Sequence, residues 1–136
     1  MYPAELVAPM KTELTSAGFE QLVTAAEVDN AINVEGTTFL VINSVCGCAA
    51  ANARPAAKIA ITNDKIPSKI VTVFAGVDAE AVAQARKYTL PYPPSSPSMA
   101  LFKNGKLVHF IERHHIEGRP AEMIAENLVS AFNEYC

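Results

Sequence analysis

The sequence predicts an α/β domain in which helices flank a central mixed sheet and one extra helix comes first. Two observations support this class. Helical and strand-like hydrophobic patterns alternate along the chain, and Asn104-Gly105, a dipeptide typical of type I′ turns, joins the last two strand-like segments. The 136 residues, half of them hydrophobic, are enough for one core and too few for two ordinary domains. We therefore expect a single domain over residues 1–136, with residues 1–18 as a helical extension.

Hydrophobic spacing defines the elements of the first half. Apolar residues recur at helical spacing from Pro3 to about Ala17, which predicts a helix, and residues 19–23 are a short strand candidate. Thr24 and Glu27 have the spacing of a capping box, so a second helix begins there. The run from Thr37 to Val45 is rich in β-branched and apolar residues, which predicts the central strand.

The second half continues the alternation and includes a hairpin. Its predicted elements are an alanine-rich helix to about Ile61 with a kink at Pro55, a strand at Lys69–Ala75, a helix at Asp78–Tyr88, a proline-rich loop at residues 90–97, hairpin strands at Ser98–Lys103 and Lys106–Glu112, and a last helix from Pro120. After the extension, the predicted order is therefore β-α-β-α-β-α-β-β-α.

Cys46-Gly47-Cys48 lies between the central strand and the alanine-rich helix. At a helix N-terminus, free N–H groups and the helix dipole stabilise a thiolate, so we expect the pKa of an exposed thiol there to fall below about 8.5. Alpha carbons two residues apart lie roughly 5.5 to 7 Å from each other, in the upper part of the range that a disulfide spans. Closing that bridge requires the middle residue to leave helical geometry, which Gly47 does at the least steric cost.

Two other interpretations of the cysteine pair stay open. The cysteines can be buried thiols that never react, since free cysteine is among the most buried residue types. They can also be a thiolate pair for zinc or copper(I), which needs further ligands from Cys136 or the histidines. His114 and His115 are expected on a strand, where neighbouring side chains point in different directions and do not share an ion. We assign no residue to a metal site.

Composition argues against several classes of function. The formal net charge is −3 and the Lys and Arg residues are scattered, so nucleic-acid binding is not expected. No run approaches the roughly 18 apolar residues of a membrane span. The start of the chain lacks the basic segment of an export signal, and three cysteines are an odd number, so we expect a reducing cytoplasm. The oligomeric state stays open.

The order of elements resembles the thioredoxin fold, in which redox cysteines open the helix after the central strand. Pro97-Ser98-Met99-Ala100-Leu101-Phe102-Lys103-Asn104-Gly105 resembles that fold's proline, strand and turn, so the resemblance implies a cis bond at Ser96-Pro97. It covers about residues 19–136. The chain departs from ordinary thioredoxins in having Cys-x-Cys instead of Cys-x-x-Cys, and in lacking an acidic residue at positions 39–45.

Longer strings resemble the bacilliredoxin family. They are Asn43-Ser44-Val45-Cys46-Gly47-Cys48-Ala49, Asn52-Ala53-Arg54-Pro55, Glu112-Arg113-His114, Ile116-Glu117-Gly118-Arg119 and the terminal Tyr135-Cys136. This resemblance implies a cytoplasmic bacterial oxidoreductase that removes bacillithiol from mixed disulfides on client proteins, with weaker disulfide isomerase or reductase activity. It assigns attack to Cys46 and resolution to Cys48. It implies no bound cofactor, because bacillithiol or another small thiol is the co-substrate.

Four further positions are expected to contact the substrate. Gly47 lies between the two thiols. Arg54 follows Cys46 by eight residues, roughly two helical turns, and could face the same side and meet an anionic thiol, unless it is an ordinary solvated arginine. Ser96 and Pro97 would present backbone groups to an incoming disulfide, or else form a structural turn. A non-catalytic adaptor with the same fold is the other alternative.

Overall fold

The computed structural model describes residues 1–136, which form five strands and five α-helices. The helices are α1 (Ala4–Thr15), α2 (Ala25–Ile32), α3 (Arg54–Ala60), α4 (Ala79–Tyr88) and α5 (Ala121–Tyr135). The strands are β1 (Glu20–Gln21), β2 (Thr37–Asn43), β3 (Lys69–Phe74), β4 (Ser98–Lys103) and β5 (Lys106–Ile111). A π-helical turn at Ala49–Ala53 runs into α3, and a 3-10 turn at Arg113–His115 precedes α5.

One mixed sheet joins the strands in the order β1-β3-β2-β4-β5. Its centre is β2, which pairs in parallel with β3 and antiparallel with β4. The outer strands extend this pattern, since β1 is parallel to β3 and β5 is antiparallel to β4. The sheet confirms the predicted α/β class and the predicted order of elements.

The central strand β2 is buried along its whole length, and its side chains alternate between two cores. Phe39 and Val41 face one side of the sheet, whereas Leu40 and Ile42 face the other. A strand covered on both faces has an uninterrupted apolar sequence, which explains why residues 39–42 contain no polar residue.

Helices cover both faces of the sheet. On one face α1, α3 and α5 pack around a core that includes Leu14 and Phe132. Ala56, Ala57 and Ala60 are fully buried in α3, and their small side chains let α3 approach α5 closely. On the other face α2 and α4 pack against each other over the second core. None of the helices has the combined length and apolar character that a membrane span requires.

Two local motifs, a capping box and a tight turn, form as the sequence predicts. The Thr24 hydroxyl accepts a hydrogen bond from the Glu27 N–H at 3.1 Å, and the Glu27 carboxylate accepts one from the Thr24 N–H at 3.0 Å, which completes the capping box of α2. Asn104 and Gly105 have φ values of 51° and 81°, the left-handed geometry that a type I′ turn requires.

Two predicted strands are shorter in the structure by at least two residues, and β3 and β5 each end one residue earlier than predicted. The central strand ends at Asn43 and not at Val45, because the Asn43 side chain accepts the Ser44 N–H at 2.9 Å and turns the chain out of the sheet. The first strand reduces to Glu20–Gln21, since only these two residues pair in register with β3 at the sheet edge.

Phe39 provides a test of the first core. Its ring is fully buried, with ring centroids 5.9 Å from Phe19 and 5.2 Å from Phe132. We expect Phe39→Ala to lower the free energy of unfolding by about 3–5 kcal/mol, because a cavity opens where β2, α5 and the segment before β1 meet. Urea denaturation measures this loss, with Met123→Ala, whose side chain is exposed, as control. A loss no larger than that of the control contradicts the assignment of this core.

Candidate active site

Four chain segments meet at one edge of the sheet. The parallel strands β2 and β3 both end there, β4 begins there, and β5 ends there because it is antiparallel to β4. The segments that leave these strand ends are residues 44–46, 75–76, 96–97 and 112–113. Cys46 lies on the wall of a depression of about 500 Å³ at this edge, together with Tyr2, Arg86, Ser96 and Arg113.

The two predicted cysteines form a disulfide, and their alpha carbons are 5.3 Å apart. Both thiol side chains are partly buried, whereas Gly47 between them is exposed. The prediction that Gly47 leaves helical geometry is wrong: Gly47 and Cys48 already have helical backbone, and Gly47 has no left-handed φ. Apart from its two chain neighbours, no atom would lie within 4 Å of a Cβ at position 47, so crowding does not require glycine there.

The sulfur of Cys46 accepts two hydrogen bonds, whereas the sulfur of Cys48 accepts none. Arg113 donates from Nη2 to Cys46 Sγ at 3.1 Å, and the Cys48 N–H donates to the same sulfur at 3.3 Å. A guanidinium and a helix-start N–H both stabilise negative charge. Once the disulfide is reduced, the site therefore favours a thiolate at Cys46, the thiol that the sequence predicts to attack.

Arg113 also holds the proline loop beside Cys46. Its Nη1 donates to the Ser96 carbonyl oxygen at 3.2 Å, while its Nε pairs with Glu117 at 2.5 Å. The Ser96-Pro97 bond is cis, as the resemblance implied, and Pro97 is buried. Of the two loop residues predicted to face a substrate, Ser96 lines the depression beside Cys46, whereas Pro97 is not among the lining residues.

Arg54 does not face an incoming anion, and the prediction that it lies at the surface on the side of Cys46 is wrong. The residue is 3% exposed. Its Nε donates to Glu13 at 2.8 Å, and its Nη1 donates to both Asn43 Oδ1 and the Ser44 carbonyl oxygen at 2.9 Å. The prediction assumed a uniform α-helix from the cysteines onward, but the π-helical turn changes the direction in which Arg54 points.

Glu13 is the counter-ion of Arg54 and comes from the extra helix α1. It pairs with Arg54 at 2.8 Å and with Lys58 at 2.9 Å. Partial burial raises the pKa of the Glu13 carboxyl, but the hydrogen bonds and charges of Arg54 and Lys58 outweigh burial and leave that pKa below its ordinary value. The N-terminal extension therefore supports the segment that carries Cys46.

His114 and His115 are not on a strand, contrary to the prediction. They lie in the 3-10 turn, with ring centroids 4.0 Å apart, and together with Glu112 they offer three ligand atoms within 4.8 Å of one another. This is the only cluster of three or more possible metal ligands in the structure, and it contains no cysteine. Cys136 is exposed at the end of α5. The geometry therefore does not join the cysteine pair to the ligands that a zinc or copper(I) site needs.

Seven of the nine residues that line the depression were not predicted as site residues, and Arg113, Tyr2 and Arg86 have the largest polar side chains among them. Arg113 stands in the Glu112-Arg113-His114 string that resembles the bacilliredoxins, which is the signal that could have identified it. Tyr2 and Arg86 had no such signal. They reach the site only because α4 and the N-terminus pack beside the ends of β2 and β3.

A redox disulfide at the start of the helix after the central strand, facing a cis-proline loop, defines a thiol-disulfide oxidoreductase with a thioredoxin fold. Mitochondrial thioredoxin 3 of Saccharomyces cerevisiae, in its oxidised form, has the same fold with a TM-score of 0.62 at 17% identity, over 90% of this chain and 98% of that one. The thioredoxin of Fasciola hepatica matches with a TM-score of 0.60 at 17% identity, over 87% of this chain and all of that one.

Sequence relatives define the family. A family model described as disulphide isomerase matches residues 2–136. A bacilliredoxin of Cytophaga hutchinsonii is 58% identical over 134 residues, 98% of this chain and 99% of the relative. A bacilliredoxin of Halalkalibacterium halodurans is 54% identical over 99% of this chain and 94% of the relative. The chain belongs to the bacilliredoxin family, which confirms the resemblance of its motifs.

Arg113→Gln tests the charge at the sulfur. In a Cys48→Ala, Cys136→Ala background, we expect the rate of Cys46 alkylation by iodoacetamide below neutral pH to fall on the order of fivefold, because the thiolate loses a charged donor at 3.1 Å. Arg119→Gln is the matched control, since Arg119 is an exposed arginine of the same segment. Equal rates for Arg113→Gln and its parent variant contradict this role.

Glu13→Gln tests the support from α1 through its pH dependence. Folding lowers the pKa of Glu13, so its contribution to stability is present above the ordinary value of 4.5 and is lost as the pH falls through the lower value in the folded protein. We expect the variant to lose about 1–2 kcal/mol of unfolding free energy at neutral pH and to match the parent protein in acid. Urea denaturation over a pH series measures the difference, with exposed Glu126→Gln as control. A difference that does not change with pH contradicts the ion pair.

Proposed function

We propose that this protein removes bacillithiol from mixed disulfides on other proteins, with Cys46 attacking and Cys48 resolving. The relatives named bacilliredoxins support the choice of substrate class. The observation that carries the proposal is the Cys46–Cys48 disulfide, because it means that the Cys48 sulfur reaches the sulfur of Cys46. A resolving thiol must do the same when Cys46 carries the small thiol.

The reaction balances as two exchanges. The Cys46 thiolate attacks the bacillithiol sulfur of the mixed disulfide, so that one S–S bond breaks, a new one forms at Cys46, and the client leaves as a thiolate. The Cys48 thiolate then attacks Cys46 Sγ and releases bacillithiol as a thiolate. The mixed disulfide gains two electrons and the enzyme dithiol loses two, which yields the disulfide form seen in the structure.

The surroundings of Cys46 suit the attacking step. Arg113 Nη2 and the Cys48 N–H both lie within hydrogen-bond distance of its sulfur, so the charge of the thiolate is stabilised before attack. Gly47, between the two cysteines, is exposed, so a partner can contact the chain there. The Ser96 carbonyl oxygen is taken by Arg113, whereas the Ser96 N–H makes no backbone hydrogen bond and can donate to a client.

The proposal includes the setting of the reaction. Clients are proteins that carry a small thiol on cysteine, and the co-substrate is bacillithiol or another low-molecular-weight thiol, with no bound cofactor. We place the reaction in the cytoplasm. Thiols are kept reduced there, so the Cys46–Cys48 disulfide would alternate between oxidised and reduced forms and would not be a permanent cross-link. Disulfide isomerase activity, the description of the matching family model, is a second use of the same attacking thiol.

Single cysteine variants test the two roles. Cys46→Ser is expected to lose exchange with a bacillithiol-modified client by at least about a hundredfold, because no thiolate attacks. Cys48→Ala is expected to attack and then to accumulate an enzyme–bacillithiol adduct, which intact-protein mass spectrometry identifies. Both variants are made in a Cys136→Ala background, and the Cys136→Ala protein is the control.

The opposite pattern, with attack retained in Cys46→Ser and lost in Cys48→Ala, reverses the assignment. If neither variant exchanges and both thiols of the parent protein are unreactive toward iodoacetamide, the chain is an adaptor and not an enzyme. If a chelator is needed to make the thiols reactive, the cysteines bind a metal instead.

A further inference from the structure

Arg86, in the last turn of α4, is the charged residue of the depression that has no partner in the chain. Its Nε is buried and makes no hydrogen bond, and none of the ion pairs of the structure includes it. Burial lowers the pKa of its guanidinium, as expected of a cation that has lost water and gained no counter-ion. By contrast, Arg113 in the same wall is bound to Glu117, Ser96 and the sulfur of Cys46.

The depression as a whole is suited to an anion. Its wall contains two guanidinium groups and three hydroxyl-bearing side chains but no carboxylate, although the chain carries a net charge of −3. The Tyr2 ring lies against Gly76 and forms one side of the depression. A volume of about 500 Å³ matches a small molecule and not a folded partner.

We propose that Arg86 binds a carboxylate of the small thiol while the sulfur of that thiol is joined to Cys46. The proposal rests on the proposed function and adds to it the charge that a preferred substrate must carry. Arginine suits this task because its planar fork matches a carboxylate with two parallel hydrogen bonds. Cys46 and Arg86 line the same depression, so one ligand reaches both. Binding supplies the counter-ion that the protein does not.

Small disulfides of different charge test the subsite without any client protein. The parent is the Cys48→Ala, Cys136→Ala variant, in which Cys46 attacks one sulfur of the probe, one S–S bond breaks as another forms, and the other half of the probe leaves as a thiolate. The probes are dithiodipropionate with two carboxylates, cystamine with two ammonium groups, and neutral bis(hydroxyethyl) disulfide. The rate of adduct formation is followed by intact-protein mass.

We expect Arg86→Gln to slow the reaction with dithiodipropionate by about five- to tenfold and to change the reaction with the neutral probe by less than about twofold. Arg86→Lys keeps the charge and is expected to restore part of the loss. Lys87→Gln removes the same charge from an exposed neighbour outside the depression and is expected to have little effect on any probe. Added salt is expected to reduce the preference for the anionic probe.

An equal loss with all three probes means that Arg86 only supports the fold, and no loss with dithiodipropionate means that it binds no carboxylate. Either result overturns the subsite. A loss of reaction with a peptide disulfide of acidic sequence, without loss for dithiodipropionate, assigns Arg86 to clients and also overturns it. Because these probes contain no bacillithiol, failure of the proposed function appears separately, as a protein that discriminates by charge yet does not act on bacillithiol-modified clients.

Discussion

The buried guanidinium of Arg54 is the constraint from which the geometry of the site follows. A charge that is 3% exposed is tolerated only when ionic and polar partners surround it, and here they come from α1, from the end of β2 and from the residue after it. Because these partners converge on one side chain, the chain leaves β2 along one path and carries Cys46 to the edge of the sheet. The helix that precedes the thioredoxin-like part is therefore part of the support of the site.

Three arginines at this edge of the sheet have different roles. Arg54 is internal and holds the backbone, Arg113 contacts the sulfur of Cys46, and Arg86 lines the depression without a partner. Strand β2 contains no acidic residue, and the sulfur of Cys46 contacts the guanidinium of Arg113. This arrangement favours thiolate chemistry in a protein whose overall charge is negative.

Local patterns predicted the parts of the fold that depend on neighbours along the chain. The capping box at Thr24, the turn at Asn104-Gly105 and the apolar run of β2 all formed as expected, because each needs only a few successive residues. The prediction for Arg54 extended a regular geometry over a longer stretch, and it failed. Arg54 was predicted to face the same side as Cys46 because the segment between them was taken as a uniform α-helix. The π-helical turn at Ala49–Ala53 shows that the segment is not uniform.

The sequence by itself indicated thiol chemistry for this protein. The two thiols, their spacing and their place after the central strand are all local properties, and the strings around them were specific enough to indicate the family. Only the tertiary structure decided which cation meets the attacking sulfur. Arg54 is eight positions from Cys46 and faces inward, whereas Arg113 is 67 positions away and donates to Cys46 Sγ. The pairing of strands decides which distant segments lie together at one end of the sheet. That pairing depends on the whole chain and cannot be predicted from the spacing of neighbouring residues.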